Sequence, residues 1–407
     1  MQITRRSFLR FAGAGIPAFP LMSRSGGTRV VPGSDPEPSH MAVESWIEVD
    51  LDNLEYNLNR LRELVKVPVL AVIKANAYGH GLVETAARLD RLGIAGLMVC
   101  RLDEAVRIRR SGVTCPVYNF GPFLSGSAET LLRQRITPIL STEGHEELDR
   151  TARERGTRIR VHVHIDTGMH RAGIPEREAH AILLNLSRLR GIELRGLSTT
   201  LTEDPDFDRR QLAGFLEHCR RAKEAGIDPG LRHAASSAAV FSHPDFYLDM
   251  VRPGIVLYGY YPNKDTRAEN RLKLAPVLSF KARVAEVKTL RPGDGVSYHR
   301  AYRASHRETI AVLPVGYSDG YPHQAAGRGH VLIRGAACPI IAGITANHME
   351  VRLPQGLNAV PGDVAVLIGS QGRCAITADD LADWAETSNY KILIGMSPRL
   401  PRIIQSP

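Results

Sequence analysis

From residue 46 onward, the chain alternates short apolar runs with stretches whose apolar residues recur every three or four positions. Continuous runs rich in Val, Ile and Leu predict buried strands, and the longer spacing predicts amphipathic helices. The predicted strands are residues 67–73, 96–99, 116–120, 137–140, 159–165, 192–197, 231–235 and 250–257. Eight strand–helix units favour an α/β fold of the (β/α)8 barrel type, although an open doubly wound sheet fits the same periodicity.

The pattern changes after residue 272, where strand-like runs follow one another with little helix between them. These runs are residues 277–288, 309–314, 330–333, 340–344 and 363–368, and Gly and Pro turns separate them. They predict a second, mainly β domain. We therefore expect an N-terminal segment over residues 1–43, a barrel over 44–272 and a C-terminal β domain over 273–407.

Composition restricts the class of protein further. The 407 residues carry a net charge of +9, but Lys and Arg are scattered without a long basic run, which argues against nucleic-acid binding. The five cysteines form no C-x-x-C pair and have no histidine at zinc-ligand spacing, so we expect no metal site. A small-molecule partner, with no nucleic acid and no stable membrane insertion, is the expectation that remains.

The N-terminus predicts export. Residues 4–10 (TRRSFLR) resemble a twin-arginine export signal, and residues 11–22 are uncharged. That stretch is too short to span a bilayer of roughly 30 Å but fits the apolar region of a signal peptide. Residues 26–44, rich in Pro, Gly and Ser, are typical of a linker. We expect a periplasmic or extracellular protein, the alternative being a basic amphipathic start that arose by chance.

Lys74 is the first candidate for chemistry, because it directly follows the first predicted barrel strand. Catalytic groups of such barrels lie where strands end at the C-terminal face. A lysine in apolar surroundings can lose its proton more readily and form a Schiff base. Position alone does not decide the matter, because a lysine after a strand is commonly a solvated surface residue.

Six segments in chain order resemble the alanine racemases, a family of enzymes that depend on pyridoxal phosphate (PLP). The segments are residues 71–81 (AVIKANAYGHG), 166–174 (DTGMHRAGI), 233–239 (HAASSAA), 251–259 (VRPGIVLYG), 295–298 (GVSY) and 314–322 (PVGYSDGYP). The similarity extends from about residue 46 to residue 403. It implies a PLP-dependent racemase that interconverts L- and D-alanine, with a barrel, a β domain and a homodimer that shares its active sites.

The resemblance also assigns roles to individual residues. It implies that Lys74 binds PLP covalently and then acts as one of two acid/base groups, the other being Tyr298 of the partner subunit. The residues implied to bind the rest of the cofactor are Tyr78, Ser237, Gly254 and Ile255 at the phosphate, and Arg252, backed by His233, at the pyridine nitrogen. The residues implied to contact the substrate are Arg171, Tyr317, Ala346 and Asn347.

An arginine at the pyridine nitrogen bears on the type of reaction. A carboxylate would keep that nitrogen protonated, whereas Arg252 cannot accept a proton and leaves the ring a weaker electron sink. Return of the proton to Cα is then favoured over transamination. Racemisation also requires a base on each face of the substrate, which Lys74 and Tyr298 would supply.

Four residues depart from the family pattern. His164 stands where the family often has a lysine, carbamylated in some members, that orients the arginine corresponding to Arg171. Thr200 replaces a histidine on the cofactor side, and Ser236 replaces an asparagine beside the phosphate loop. His299 follows the catalytic tyrosine where glycine is common. The consequences of these changes for the site are open at this point.

The substrate pocket departs as well. Family members that prefer alanine usually carry Met-Asp where this chain has Ala346 and Asn347. The exchange removes side-chain volume and one negative charge. We hypothesise a pocket that admits substrate side chains larger than methyl, including those of serine or basic amino acids. The alternative is that another side chain fills the gap and alanine remains the best substrate. A change of one methylene in a pocket alters the discrimination between substrates by only roughly 1–3 kcal/mol, so both remain open.

Two other functions fit the same sequence. One is another activity on this scaffold, such as a decarboxylase or an aldolase, although the Cys-bearing substrate motif of the decarboxylases is missing. The other is a PLP-binding protein that has lost catalysis. Retention of both proposed bases favours the racemase over the inactive protein.

Overall fold

A computed structural model describes residues 44–122, 126–141 and 144–405. These residues belong to a single compact unit. The predicted export signal and linker over residues 1–43 lie outside the described residues. Within the described ranges, no helix combines the length and apolar character that crossing a bilayer requires.

The N-terminal part alternates strands and helices, as the apolar pattern predicts. Its strands are β1 (Ser45–Asp50), β2 (Leu70–Val72), β3 (Gly96–Val99), β4 (Val117–Asn119), β5 (Ile136–Leu140), β6 (Ile159–Asp166), β7 (Ile174–Pro175), β8 (Ile192–Ser198) and β9 (Leu231–His233). Its helices are α1 (Leu51–Val65), α2 (Lys74–Tyr78), α3 (Leu82–Arg91), α4 (Leu102–Arg110), α5 (Ala128–Arg133), α6 (His145–Glu154), α7 (Glu176–Arg188), α8 (Pro205–Glu224), α9 (Ser237–Ser242) and α10 (Lys264–Glu269).

Seven of these strands form a parallel ladder in the order β2-β3-β4-β5-β6-β8-β9, and β7 pairs with β6. Residues around Val251 close the ladder into a barrel: the Leu70 N–H donates to the Val251 carbonyl over 2.9 Å, and the Arg252 N–H donates to the Ala235 carbonyl over 2.8 Å. The predicted (β/α)8 barrel is confirmed. The last predicted strand is too long, because Ile255–Tyr258 forms a 3-10 turn.

The first helix shows how the pattern builds the barrel wall. The Asp50 side chain caps α1 by accepting from the N–H groups of the first turn, which have no partner inside the helix. Leu54, Leu58 and Leu61 recur at three- and four-residue spacing and are fully buried against the barrel. The helix ends where Lys66 takes a left-handed conformation with φ 55°.

The C-terminal part is mainly β, which confirms the second predicted domain type. Its strands are β10 (Leu278–Arg283), β11 (Glu286–Leu290), β12 (Gly295–Val296), β13 (Tyr302–Arg303), β14 (Glu308–Leu313), β15 (His330–Ile333), β16 (Ala336–Pro339), β17 (Met349–Arg352), β18 (Val364–Gln371), β19 (Cys374–Ile376) and β20 (Arg402–Gln405). Its helices are α11 (Ala378–Trp384) and α12 (Asn389–Gly395).

The main sheet of this part has the order β16-β15-β18-β10-β1-β20. Strand β1, at the start of the described chain, pairs antiparallel with β10 and parallel with β20, so this sheet joins three distant parts of the sequence. The strand predicted over residues 340–344 is wrong, because Ile340 makes only an isolated bridge to Val351 of β17. The apolar pattern did not predict α11 or α12.

The two parts meet beside Lys74. Arg402 of β20 donates to the Gly79 carbonyl from Nε and Nη2 over 3.2 and 3.0 Å. On its other side, Gly79 lies so close to α12 that a Cβ atom would overlap the Leu393 carbonyl oxygen. The segment that follows Lys74 is therefore held from the C-terminal part of the chain.

Candidate active site

The barrel brings polar side chains from four strand ends to one face. Lys74 follows β2, Asp166 ends β6, His233 ends β9, and Arg252 lies beside the closing bridge. These positions are all C-terminal ends of parallel strands, where barrels assemble their active sites.

The segment after Lys74 has an unusual backbone. Residues 75–78 all have positive φ, with values of 54°, 55°, 55° and 52°. Each such non-glycine residue costs roughly 1–2 kcal/mol, so the turn persists only because its surroundings hold it. The Asn76 N–H donates to Oε1 of Glu104 over 2.7 Å, and the Asn76 side chain accepts from the Leu82 N–H over 3.0 Å. This left-handed turn fixes where Lys74 and Tyr78 lie.

A cradle of donors forms between Tyr78, Ser237 and Gly254. The Gly254 N–H donates to the Ser237 hydroxyl over 2.9 Å. A Cβ atom on Gly254 would overlap the Tyr78 hydroxyl, so only glycine lets that hydroxyl reach the backbone here. Among the described residues, the Ile255 N–H has no hydrogen-bond acceptor. Hydroxyl and N–H donors at such a position suit a phosphate group.

Arg252 is a buried cation held almost entirely by backbone carbonyls. Its Nη1 donates to Nδ1 of His233 over 2.7 Å and to the His233 carbonyl over 2.6 Å. Its Nη2 donates to the carbonyls of Thr199 and Ala234 over 2.6 and 3.1 Å. Burial lowers the pKa of Arg252 to about 10. The four terminal N–H groups are thus used, and the Nε–H is left for a ligand atom that accepts.

His164 cannot supply the negative charge of a carbamate. It is fully buried, and burial together with Arg252 and Arg171 lowers its pKa well below 6.5, so the ring is neutral. Its Nδ1 lies 2.9 Å from the Ser198 hydroxyl and its Nε2 lies 3.4 Å from the Thr200 hydroxyl. Both hydroxyl partners are also neutral, and within the described residues no carboxylate pairs with Arg171.

Arg171 nevertheless lies on the same face as Lys74. The positive charges of Lys74 and Arg171 both act on the Cys100 thiol, whose pKa is raised overall, chiefly by burial. Arg171 itself is exposed. The structure therefore brings Lys74, Arg171 and Arg252 to one end of the barrel.

Tyr298 belongs to the C-terminal part, in a 3-10 turn over Tyr298–Arg300. Its side chain is 78% exposed, which is unusual for a large aromatic residue. The backbone around it is left-handed, with φ of 63° at Ser297, 59° at His299 and 52° at Arg300. His299 thus adopts a conformation that glycine would take without strain.

Tyr317, Ala346 and Asn347 form a second group on the C-terminal part. The N–H groups of Tyr317 and Ser318 donate to the carbonyls of Thr345 and Ala346, both over 3.0 Å. The Asn347 side chain donates to the Ser318 hydroxyl over 2.7 Å. Tyr317 is 57% exposed. In a single chain, the described contacts do not join this group or Tyr298 to the barrel residues.

The structure adds one residue that the sequence interpretation missed. Tyr390 of α12 lies beside Tyr78, with ring centroids 6.1 Å apart. Burial raises the pKa of Tyr390, so its hydroxyl is protonated and can donate. No signal in the six resembling segments indicated it, because α12 brings it to the barrel from a distant part of the chain.

Comparison with known proteins agrees with this geometry. The alanine racemase N-terminal domain model matches residues 49–262, and the C-terminal domain model matches residues 277–404. The alanine racemases of Symbiobacterium thermophilum and Halothermothrix orenii are 39% and 36% identical to this chain, each over 88% of it and 96% of the relative.

Solved structures match over a similar length. The alanine racemase of Clostridium difficile 630 has 33% identity and a TM-score of 0.84, covering 89% of this chain and 96% of that one. The alanine racemase of Bacillus anthracis with bound L-Ala-P has 32% identity and a TM-score of 0.83, covering 89% and 95%. The barrel, the β domain and the lysine at the barrel face define a PLP-dependent isomerase. The chain belongs to the alanine racemase family.

The residues present fit PLP. The cradle at Gly254 offers the Tyr78 hydroxyl and the free Ile255 N–H to a phosphate. The Nε–H of Arg252 suits the lone pair of a pyridine nitrogen, which is an acceptor. Lys74, which follows β2, would supply the amine that binds the aldehyde of PLP.

Proposed function

We propose that this protein racemises alanine with PLP attached to Lys74. The observation that carries the proposal is Arg252, a buried guanidinium with no carboxylate counter-ion among the described residues, whose terminal N–H groups are all used by protein acceptors. Such a group donates to the pyridine nitrogen but cannot protonate it in the way that a carboxylic acid would, which favours return of the proton to Cα.

The cofactor is held at both ends by this chain. Tyr78, Ser237, Gly254 and Ile255 hold the phosphate, and Tyr390 adds a further hydroxyl on that side. Arg252, backed by His233, holds the pyridine nitrogen. When bound, PLP withdraws electrons from the substrate and so acidifies its α-proton.

Two bases then act on opposite faces of the substrate Cα. The Lys74 amine removes or returns the α-proton on one face, and the Tyr298 hydroxyl does so on the other. Arg171 holds the substrate carboxylate, and Tyr317 lines the entry to the site. Because His164 is neutral, it adds no negative charge that would compete with that carboxylate for Arg171.

The direct test is exchange of the α-proton of L-alanine in D₂O, followed by NMR with purified enzyme and PLP. We expect deuterium at Cα together with inversion to D-alanine. Tyr298→Phe should abolish inversion, with Tyr302→Phe as the control on a neighbouring strand. Binding of PLP without any exchange would instead identify an inactive cofactor-binding protein, and release of CO₂ would identify a decarboxylase.

We further propose that the active enzyme is a homodimer in which Tyr298 of one protomer completes the site of the other. The 78% exposure of Tyr298 and the 57% exposure of Tyr317 in a single chain support this, because large aromatic residues are enriched at interfaces. A second copy of the chain is the partner that a closed two-fold dimer requires.

Complementation between inactive variants tests the shared site. Lys74→Ala and Tyr298→Phe chains, each inactive alone, are unfolded, mixed in equal amounts and refolded. Half of the dimers are then hybrids with one intact site each, so about one quarter of all sites should regain activity. If both bases belong to one chain, mixing restores nothing, and the shared site is refuted.

We also propose a substrate range wider than alanine. Ala346 and Asn347 replace a larger side chain and a carboxylate, and hydrogen bonds from the neighbouring turn hold their loop in place. A panel of Ala, Ser, Lys and Arg should show racemisation beyond alanine. The double variant Ala346→Met with Asn347→Asp should narrow the range towards alanine, and a wild type that racemises alanine alone would rule the proposal out.

Finally, we propose that residues 1–43 direct export through the twin-arginine route, on the basis of the paired arginines Arg5 and Arg6. That route carries folded proteins, which suits an enzyme that binds its cofactor before export. Cell fractionation should place the wild type outside the cytoplasm and retain an Arg5→Lys, Arg6→Lys variant inside it. Wild-type protein found wholly in the cytoplasm would contradict the proposal.

A further inference from the structure

Three side chains form a hydrogen-bonded relay through the barrel. Arg252 donates to Nδ1 of His233 over 2.7 Å, and Nε2 of His233 lies 2.8 Å from Nδ1 of His162. All three residues are buried, with relative exposures of 6%, 0% and 1%. The relay begins at the proposed cofactor face, where Arg252 and His233 lie at strand ends, and continues into the middle of β6.

The direction of the relay follows from chemistry. An arginine has only donors, so Nδ1 of His233 must carry a lone pair. Burial, followed by the nearby Arg252, lowers the pKa of His233 well below 6.5, so the ring is neutral and its single proton lies on Nε2. That proton is donated to Nδ1 of His162.

The same reasoning fixes the tautomer of His162. Burial lowers its pKa to about 4, with contributions from Arg252 and Arg195. The ring is therefore neutral near neutral pH, and because Nδ1 accepts, its proton lies on Nε2. Both hydrogen bonds of the relay therefore run in the same direction: Arg252 donates to His233, and His233 donates to His162.

The far end of the relay reaches a pocket on the opposite face. His162 lines a pocket of about 500 Å³ together with Pro68, Pro116, Arg160, Arg195 and Gly230. Most of these residues lie at the N-terminal ends of barrel strands or just before them. Solvent in this pocket can accept from His162, so the relay ends at water rather than at an unpaired buried group.

The barrel wall is adapted to hold His162. The pairing of β6 with β8 shifts register between Val161 and His162. On the neighbouring strand, a Cβ atom on Gly196 would overlap the His162 ring. Tyr118 meets the ring edge-on at 5.1 Å between centroids. A bulge, an opposing glycine and an aromatic neighbour together fix the position of this imidazole.

We infer that His162 is a positioning residue for Arg252, and that it acts by fixing the tautomer of His233. Without an acceptor at Nδ1 of His162, the buried Nε2–H of His233 has no partner. The other tautomer would place an N–H against the Nη1 donor of Arg252. Either way one buried group is unpaired, and Arg252 no longer has a single defined position. The consequence for the reaction rests on the proposed function, in which the Nε–H of Arg252 faces the cofactor nitrogen.

A matched pair of variants at residue 162 distinguishes the effect of the hydrogen-bond acceptor from the effect of side-chain shape. In His162→Asn, the Oδ1 atom is as many bonds from Cβ as the Nδ1 of histidine and can accept. His162→Leu has nearly the shape of the Asn variant but no acceptor. Both lose the same ring, so a merely structural role predicts the same outcome for both.

The first readout is the tautomer of His233 in the apoprotein, from long-range ¹H–¹⁵N spectra with histidine-selective labelling. The signals are assigned by comparison with a His233→Asn variant. We expect a single Nε2–H tautomer in the wild type and in His162→Asn, and a mixture in His162→Leu. A single unchanged tautomer in His162→Leu would overturn the inference. If the Leu variant does not fold, a changed tautomer in the Asn variant would overturn it equally.

The second readout is the ratio of keto acid formed to alanine racemised in the holoenzyme. His162→Leu should raise this ratio about fivefold, the size expected for losing one hydrogen bond between neutral groups, whereas His162→Asn should stay within about twofold of wild type. Equal ratios in the two variants would refute a positioning role. If the wild type does not racemise, the proposed function fails, while the tautomer in the apoprotein still decides whether the relay exists.

Discussion

The cradle at Gly254 gives the sharpest test of cofactor binding. A Cβ atom at this position would overlap the Tyr78 hydroxyl and lie 2.9 Å from the Cζ carbon that bears it. Tyr78 cannot easily move aside, because it is 5% exposed and packs against Tyr258 and Tyr390 with ring centroids 5.1 and 6.1 Å away. Gly254→Ala should therefore displace the hydroxyl from the phosphate position.

The magnitude follows from the bond that is lost. A hydrogen bond to a charged group contributes roughly 1.5–3 kcal/mol, so the Kd for PLP should rise about 10- to 150-fold. The assay is titration of the apoenzyme with PLP, followed by absorbance of the bound cofactor. Gly343→Ala is the matched control, because nothing lies within 4 Å of its added Cβ atom.

A double variant tests the physical reason. If Gly254→Ala acts by displacing the Tyr78 hydroxyl, then Tyr78→Phe already causes most of the loss, and the two changes together are far from additive. Wild-type affinity in Gly254→Ala, or full additivity in the double variant, would refute the reasoning.

Three further changes test groups that support the site. Burial lowers the pKa of His80 to about 4, below the roughly 6.5 of the unfolded chain, so the unfolded chain binds the extra proton and the free energy of unfolding should fall as the pH drops from 6.5. In urea denaturation, His80→Gln should reduce that fall by about 2 kcal/mol between pH 6.5 and 5. The same pH dependence in the variant and the wild type would contradict this prediction. Arg402→Lys keeps the charge but loses the paired donors to the Gly79 carbonyl. The free energy of unfolding should therefore drop by about 2 kcal/mol, and the affinity for PLP should fall as well. Wild-type values for both would refute the role of Arg402 in holding the segment after Lys74. Glu104→Gln keeps an acceptor for the Asn76 N–H, whereas Glu104→Leu does not. Only the Leu variant should therefore lose stability, by about 1–3 kcal/mol. Equal thermal midpoints for the two variants would contradict a stabilising role of this hydrogen bond.

Much of the fold follows from local pattern. The barrel strands are continuous apolar runs because both faces of a parallel sheet are covered, and helices such as α1 carry buried residues at three- and four-residue spacing. Lys74 could be singled out from its place after the first such run, and the six resembling segments assigned most of the site. These signals are local in the chain, so the sequence alone was enough to identify them.

Other features depend on residues that meet only in three dimensions. The sequence could not indicate that β1 pairs with β10 and β20, because sheet partners are chosen by packing and not by proximity in the chain. The same holds for Tyr390 beside Tyr78, and for the left-handed turn after Lys74, which no local propensity favours.

The sequence by itself determined the class of protein and singled out the proposed cofactor lysine and the arginine at the proposed cofactor nitrogen, because each lies in a short segment whose order of residues is distinctive. Only the tertiary structure decided how those groups are held. His164 was a departure of open consequence in the sequence, and the structure makes it a buried neutral ring between two hydroxyl groups. His162 had no distinguishing signal in the sequence. It connects to Arg252 through His233, because the barrel places β6 and β9 on either side of β8 and so brings the two imidazoles within hydrogen-bonding distance. Charge state and tautomer are set by burial and by partners, and both are properties of the folded chain.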